Sequence, residues 1–127
     1  MDDFDFDLLP GLIGYNLRKA QTAVFQDFSV SLQDCDITPG QFGVLVLIQA
    51  NTGLNQTALG KALGIDRSTV VAVIDKLEAG GLVERTPALT DRRSYALQLS
   101  RQGINLLLRA RSLVAKHEKR IAAGLTK

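Results

Sequence analysis

Along the first 28 residues the apolar positions Leu9, Leu12, Ile13, Leu17, Ala20, Val24 and Phe28 recur at helical intervals. This predicts a helix from about residue 8 to 28 whose stripe must be buried against something. The next start signal is Thr38-Pro39-Gly40-Gln41. Thr38 can cap with its hydroxyl, Pro39 suits a first helical position, and Gln41 can reach back to complete a capping box. A helix is expected from Pro39 to about Ala50, mostly buried through Phe42, Leu45, Val46 and Ile48, and stopped by Asn51-Thr52-Gly53.

Asn55 then caps a short helix, Gln56 to Leu63, which Gly64 can end in the left-handed conformation. Asp66 caps the next, Arg67 to Ala79, which Gly80-Gly81 ends. Two short helices joined by a Gly-containing turn form a helix-turn-helix. In the second of them Val70, Val73, Ile74 and Leu77 share one side. Ser68, Ala72, Asp75, Lys76 and Ala79 lie opposite, with Thr69 on the flank. That outer side is small and polar near its start, which suits base edges and phosphates as well as it suits plain solvent.

Leu82 to Thr86 and Ser94 to Leu99 read as strands, the second alternating Tyr95, Leu97 and Leu99 against Ser94, Ala96 and Gln98. Residues 87 to 93 make the tip, and helix, turn, helix, hairpin is a winged helix. Ser100 caps a last helix from Arg101 to about Gly124, with Ile104, Leu107, Leu108, Val114, Ile121 and Leu125 on its apolar side. At a rise of 1.5 Å per residue it runs about 35 Å, more than so small a domain can cover, so part of it should pack on a second subunit. The fold class is mainly α with a small β-hairpin.

Composition narrows the setting more than the function. A length of 127 residues fits one domain, and 46% apolar residues suffice for a core. No window approaches the roughly 18 apolar residues of a membrane span, and the acidic opening MDDFDFD lacks the order of a secretory signal. The expectation is a soluble cytoplasmic protein. Net charge is only +2, but residues 1–7 carry −4 and residues 104–127 carry +5, weak support for a polyanionic partner.

Catalytic and metal chemistry find little footing. His117 is the sole histidine and has no second His or Cys near it in sequence, so it reads as a surface helix residue rather than a metal ligand. Cys35 and His117 make no recognisable catalytic pair, and no glycine-rich loop cradles a phosphate. No enzyme activity, cofactor or metal is expected. Cys35 sits between Asp34 and Asp36, which oppose thiolate formation, and it reads as a small buried hydrophobe. An oxidant-sensing thiol at Cys35 is the alternative. Gly43 lies inside a helix, where Gly costs roughly 0.5–1 kcal/mol relative to Ala, unless a close helix approach requires it.

The order of parts resembles the MarR family of transcriptional regulators over nearly the whole chain. The resemblance rests on GYNLRKA (residues 14–20), ITPGQFGVL (37–45), LGKALGIDRSTVVAVIDKLEAGGLVER (59–85) and TDRRSYALQLSRQG (90–103). It implies one domain over 1–127, with a winged-helix DNA-binding lobe at 37–100 and dimerisation helices at 8–36 and 101–127. It departs from the family's plan at Gly60, where Ala is usual, and at Gly124-Leu125-Thr126-Lys127, where a further dimerisation helix is expected to follow; truncation or a smaller dimer surface would explain the latter.

The same resemblance implies a homodimer that reads a palindromic operator in double-stranded DNA. Arg67, Ser68, Thr69 and Ala72 would lie nearest the bases, with Lys76 on the same outward side, and Gln56 and Thr57 would meet phosphates. At the tip, Arg93 would enter the minor groove while Asp91 holds an arginine by a charge-assisted pair, with Arg92 beside them. A small aromatic or phenolic effector would release the DNA from a pocket that Tyr15, Arg18 and Phe42 could line, although each has an ordinary core or surface explanation. A second reading treats the lobe as a protein-interaction module without an operator. The charge of only +2 over residues 55–103 and the apolar outer positions Val71 and Ala72 favour it, and the Asp91 to Arg93 run counts against it.

Overall fold

Among the described residues, side-chain caps begin four of the five α-helices. The structure, a computed structural model, describes residues 4–87 and 95–125. Thr38 Oγ1 accepts the Gln41 N–H at 3.1 Å while Gln41 Oε1 accepts the Thr38 N–H at 2.9 Å, the reciprocal box that starts α2, Pro39–Ala50. Asn55 Oδ1 accepts from Ala58 N and starts α3, Gln56–Leu63. Asp66 Oδ1 accepts from Thr69 N and starts α4, Arg67–Ala79. Ser100 Oγ accepts the Gly103 N–H at 3.0 Å and donates to the Gly81 carbonyl at 2.6 Å, so the cap of α5, Arg101–Leu125, is tied to the exit of α4.

The first helix is later at both ends than its apolar spacing predicts. α1 is Ile13–Ser31, preceded by a separate 3-10 turn, Leu9–Gly11, that contains Pro10. Leu12 between them is extended, and Asn16 Nδ2 donates to the carbonyls of both Pro10 and Leu12, which holds the break in place. At the far end a second 3-10 turn, Gln33–Cys35, closes on Asp36 in the left-handed conformation at φ 56°.

The hairpin pairs β1, Val83–Pro87, with β2, Tyr95–Leu99, antiparallel, Val83 opposite Leu99 and Pro87 opposite Tyr95. β1 begins one residue later than expected because Leu82 N donates to Leu77 O and finishes the exit of α4. Leu97 N also donates to Leu54 O at 2.8 Å, so the segment before α3 is stitched to β2. Ser94, Asp91, Arg92 and Arg93 lie outside the described residues, as does the Leu125 side chain.

The core is a cluster that includes Leu32, Leu45, Ile48, Leu59, Val70, Ile74, Leu77, Val83, Leu97 and Leu107. Gly60 lets α3 approach α4: a Cβ there would meet Val70 Cγ2 at 3.1 Å and Ile65 O at 3.2 Å. The same Cβ at Gly43 would meet nothing within 4 Å, so nothing in the structure explains that glycine. Cys35 is buried in the core, as its hydrophobe reading expects.

α1 buries none of its residues within the chain: Ile13 is 79% exposed and Leu17 66%. Two expectations change, both on α5. Its inward side is Leu107, Ala110 and His117, whereas Leu108 is 70% exposed. His117 is therefore not a surface residue but fully buried, its ring 4.9 Å from that of Phe28. The reason is a polar partner across the α1–α5 contact: His117 Nδ1 lies 2.7 Å from Asp27 Oδ1.

Candidate nucleic-acid interface

The outward face of α4 is built as its helical period requires. Val70, Ile74 and Leu77 are buried, and Arg67, Ser68, Thr69, Ala72 and Lys76 are exposed on the opposite and flanking sides. The first turn is stiffened by Asp66, whose Oδ1 accepts from the Thr69 N–H at 2.8 Å and from the Ser68 hydroxyl at 2.9 Å. These bonds, the Thr69 backbone N–H foremost, hold the Asp66 carboxyl below the usual carboxylate range. The turn is thus ordered at neutral pH, with Arg67 as its first outward cation.

Where α3 meets α4, a concavity of about 450 Å³ is lined by Gln56, Thr57, Lys61, Gly64 and Arg67, among others. The fold therefore brings the expected phosphate side, Gln56 and Thr57, to the same hollow as Arg67. Thr57 is exposed. Gln56 is half-buried, and its Oε1 accepts from Arg85 Nε at 2.9 Å, which leaves only its N–H₂ group to donate to a partner.

Arg85 is the residue that sequence reasoning passed over. It stands on β1 with its side chain 18% exposed, Nη2 2.7 Å from Asp75 Oδ1 and Nη1 2.7 Å from Glu78 Oε1. One guanidinium thus bonds to the first residue of α3, the C-terminal half of α4 and, through its own backbone, the hairpin. The available signal was Asp75 and Glu78, three residues apart on one helix face, with an arginine soon after. Nothing in linear spacing told which cation they would take. Across the hairpin, Gln98 Nε2 donates to Glu84 Oε2 at 3.0 Å and adds a second polar tie.

The three residues expected at an effector pocket are not gathered within the chain. Phe42 packs edge-on against Phe28, ring centroids 5.9 Å apart. Tyr15 sits thirteen residues before Phe28 on α1, on the order of 20 Å away at 1.5 Å per residue. Arg18 is exposed on that same far half of the helix. Phe42 and Tyr15 thus serve different ends of α1.

Among the described residues no helix is long and apolar enough to cross a membrane. Residues 36–94 match the MarR family profile. Over 119 residues the chain is 36% identical to a protein of Thauera aromatica described as a transcriptional regulatory protein for the hcr operon, which covers 93% of this chain and 72% of that one. Among solved structures, the transcriptional repressor CouR bound to a 23-mer DNA duplex superposes with a TM-score of 0.91 at 43% identity, covering 98% of this chain and 88% of that one. CouR bound to p-coumaroyl-CoA gives a TM-score of 0.88 at 40% identity over the same shares.

Proposed function

The chain belongs to the MarR family of winged helix-turn-helix transcriptional regulators, DNA-binding proteins rather than enzymes, and from that premise we propose that it is a repressor, homodimeric on a palindromic operator and released by a small phenolic ligand. The observation that carries the reading is the exposed Arg67, Ser68, Thr69, Ala72 and Lys76 face of α4, with the Gln56 and Thr57 hollow beside it. On this proposal α4 enters the major groove, Thr57 and the Gln56 N–H₂ group meet phosphates, and Arg93 enters the minor groove while Asp91 holds an arginine in position, with Arg92 beside them. A two-fold dimer would then require half-sites about one helical turn, 10 to 10.5 base pairs, apart or a multiple of that.

The phenolic part of the proposal is supported by CouR, which has been solved with p-coumaroyl-CoA. On this proposal Phe42 would wall the ligand pocket, while Tyr15 and Arg18, on the far half of α1, do not share that pocket within one subunit. Release requires the ligand to favour a conformation in which the two recognition helices are mis-spaced.

The test is binding of wild type and Arg93→Ala to duplexes from the region upstream of the protein's own gene and to scrambled duplexes, at two salt concentrations. A preference of roughly 10³ or more for one palindromic segment, reduced in Arg93→Ala, is the expected result. Equal and weak binding of every duplex by both proteins, fading with salt, would instead support the protein-interaction reading.

A further inference from the structure

We infer that Arg85 is a positioning residue, setting the angle between the recognition helix and the wing by holding Asp75, Glu78 and Gln56 at once. The inference rests on the DNA-binding reading above but names a residue outside the contact surface. Its ground is geometric. All three guanidinium nitrogens are used, Nε on Gln56 at 2.9 Å, Nη1 on Glu78 at 2.7 Å and Nη2 on Asp75 at 2.7 Å. The planar fork fixes the relation of its acceptors in a way that a point charge on a flexible stem does not.

The acceptors belong to the elements that carry the candidate contacts. Gln56 opens α3 beside Thr57, and Asp75 flanks Lys76 on α4. Arg85 itself is two residues before Pro87, the last residue of β1. A change of angle at this joint moves the β1–β2 hairpin relative to α4, so contacts made from the helix and contacts made from the hairpin side cease to be made together. Small misplacements of this kind are costly because the contacts are short-range and directional.

A competing explanation is plain charge masking. Asp75 and Glu78 are 59% and 43% exposed on a helix that must approach phosphates, and Arg85 offsets one of their two negative charges. The two explanations differ in sign for one variant. Asp75→Asn with Glu78→Gln removes two negative charges and frees the Arg85 cation. Under masking, affinity for every duplex rises together and selectivity is kept. Under positioning, binding to scrambled DNA rises while preference for the selected duplex falls.

The experiment uses a duplex that the wild-type protein enriches from a random-sequence pool, with a scrambled duplex of equal length as reference. The Kd for the scrambled duplex divided by that for the selected duplex is measured at fixed salt for wild type, Arg85→Lys and Asp75→Asn/Glu78→Gln. Arg85→Lys keeps the net charge and is expected to lower the ratio roughly tenfold or more, the scale of one lost charge-assisted hydrogen bond. Minor-groove protection in footprints should weaken before major-groove protection does. Ratios within twofold of wild type in both variants overturn the inference and leave the operator reading standing. A wild type that enriches no duplex overturns both. Should Arg85→Lys fail to fold by circular dichroism, the Asp75→Asn/Glu78→Gln ratio decides alone.

Discussion

His117 Nδ1 on α5 and Asp27 Oδ1 on α1 stand 2.7 Å apart, ninety residues distant in sequence, and the same carboxylate oxygen takes Arg120 Nη2 at 2.8 Å. An ionised carboxylate only accepts, so His117 donates through Nδ1. Its Nε2 is buried without a partner among the described residues. The pair crosses the helix contact that joins the two outer helices, and it ties the far half of α5 to α1.

This contact makes stability depend on pH in a defined direction. The His117 bond, then the Arg120 bond, holds the Asp27 carboxyl at about 2 against an ordinary 3.8. A lowered folded value means the stabilisation is full well above 3.8 and is lost as pH falls through about 2. Urea unfolding of wild type and Asp27→Asn should show a gap that is steady at neutral pH and closes across that interval. A gap that persists to pH 2 would remove the linkage.

Gly103 and Gly43 should respond oppositely to alanine. A Cβ on Gly103 would run into the backbone carbonyl of Leu82, which cannot retreat because its oxygen accepts the Ser100 N–H at 2.9 Å. Gly103→Ala is expected to cost about 1–3 kcal/mol, the range of overpacked sites. Gly43→Ala meets nothing and is expected to add about 0.5–1 kcal/mol. Chemical denaturation midpoints of the two variants test both signs, and a shift of the same sign in both would contradict this packing.

The exposed side of α1 should be a subunit interface. Ile13 and Leu17 lie one turn apart on it. Ile13→Asp and Leu17→Asp should each raise the dimer dissociation constant about ten- to hundredfold, the scale of burying one such side chain, with helix content unchanged. Sedimentation equilibrium gives the answer. If both variants associate as wild type does, α1 is not the interface.

Cys35 is 3% exposed and should be slow to react. A thiol reagent is expected to label the folded protein roughly a hundredfold or more slower than the urea-unfolded chain, because labelling must wait for opening. Peroxide should leave DNA affinity unchanged. Rapid labelling together with peroxide-sensitive DNA binding would restore the oxidant-sensing reading.

Local chemistry made α2, α3 and α4 legible to the residue. Thr38, Asn55 and Asp66 cap the backbone within three residues of themselves, and Gly64 ends α3 at φ 68°. The Ser100 cap of α5 was legible for the same reason. The outward face of α4 followed from helical period alone, since Val70, Ile74 and Leu77 leave only one side to solvent. Where the rule is not local the sequence is ambiguous: α1 starts after a proline turn that Asn16 clamps, a choice among several ways to continue past Pro10.

What tertiary structure decided was partnership at long range. Periodicity marked α1 as having an apolar stripe, but only the packed chain shows that Phe28 alone of its helical positions meets the core while Ile13, Leu17, Ala20 and Val24 stay exposed within one subunit. The burial of His117 is not legible in sequence, because a lone histidine carries no signal for a carboxylate on another helix. Arg85 escaped notice for a like reason, since its acceptors come from positions 56, 75 and 78. A cap or a period is set by bonds within one turn of chain, so composition and spacing determine it. An ion pair between elements is set by where the core brings their backbones, and that is known only once the core is packed.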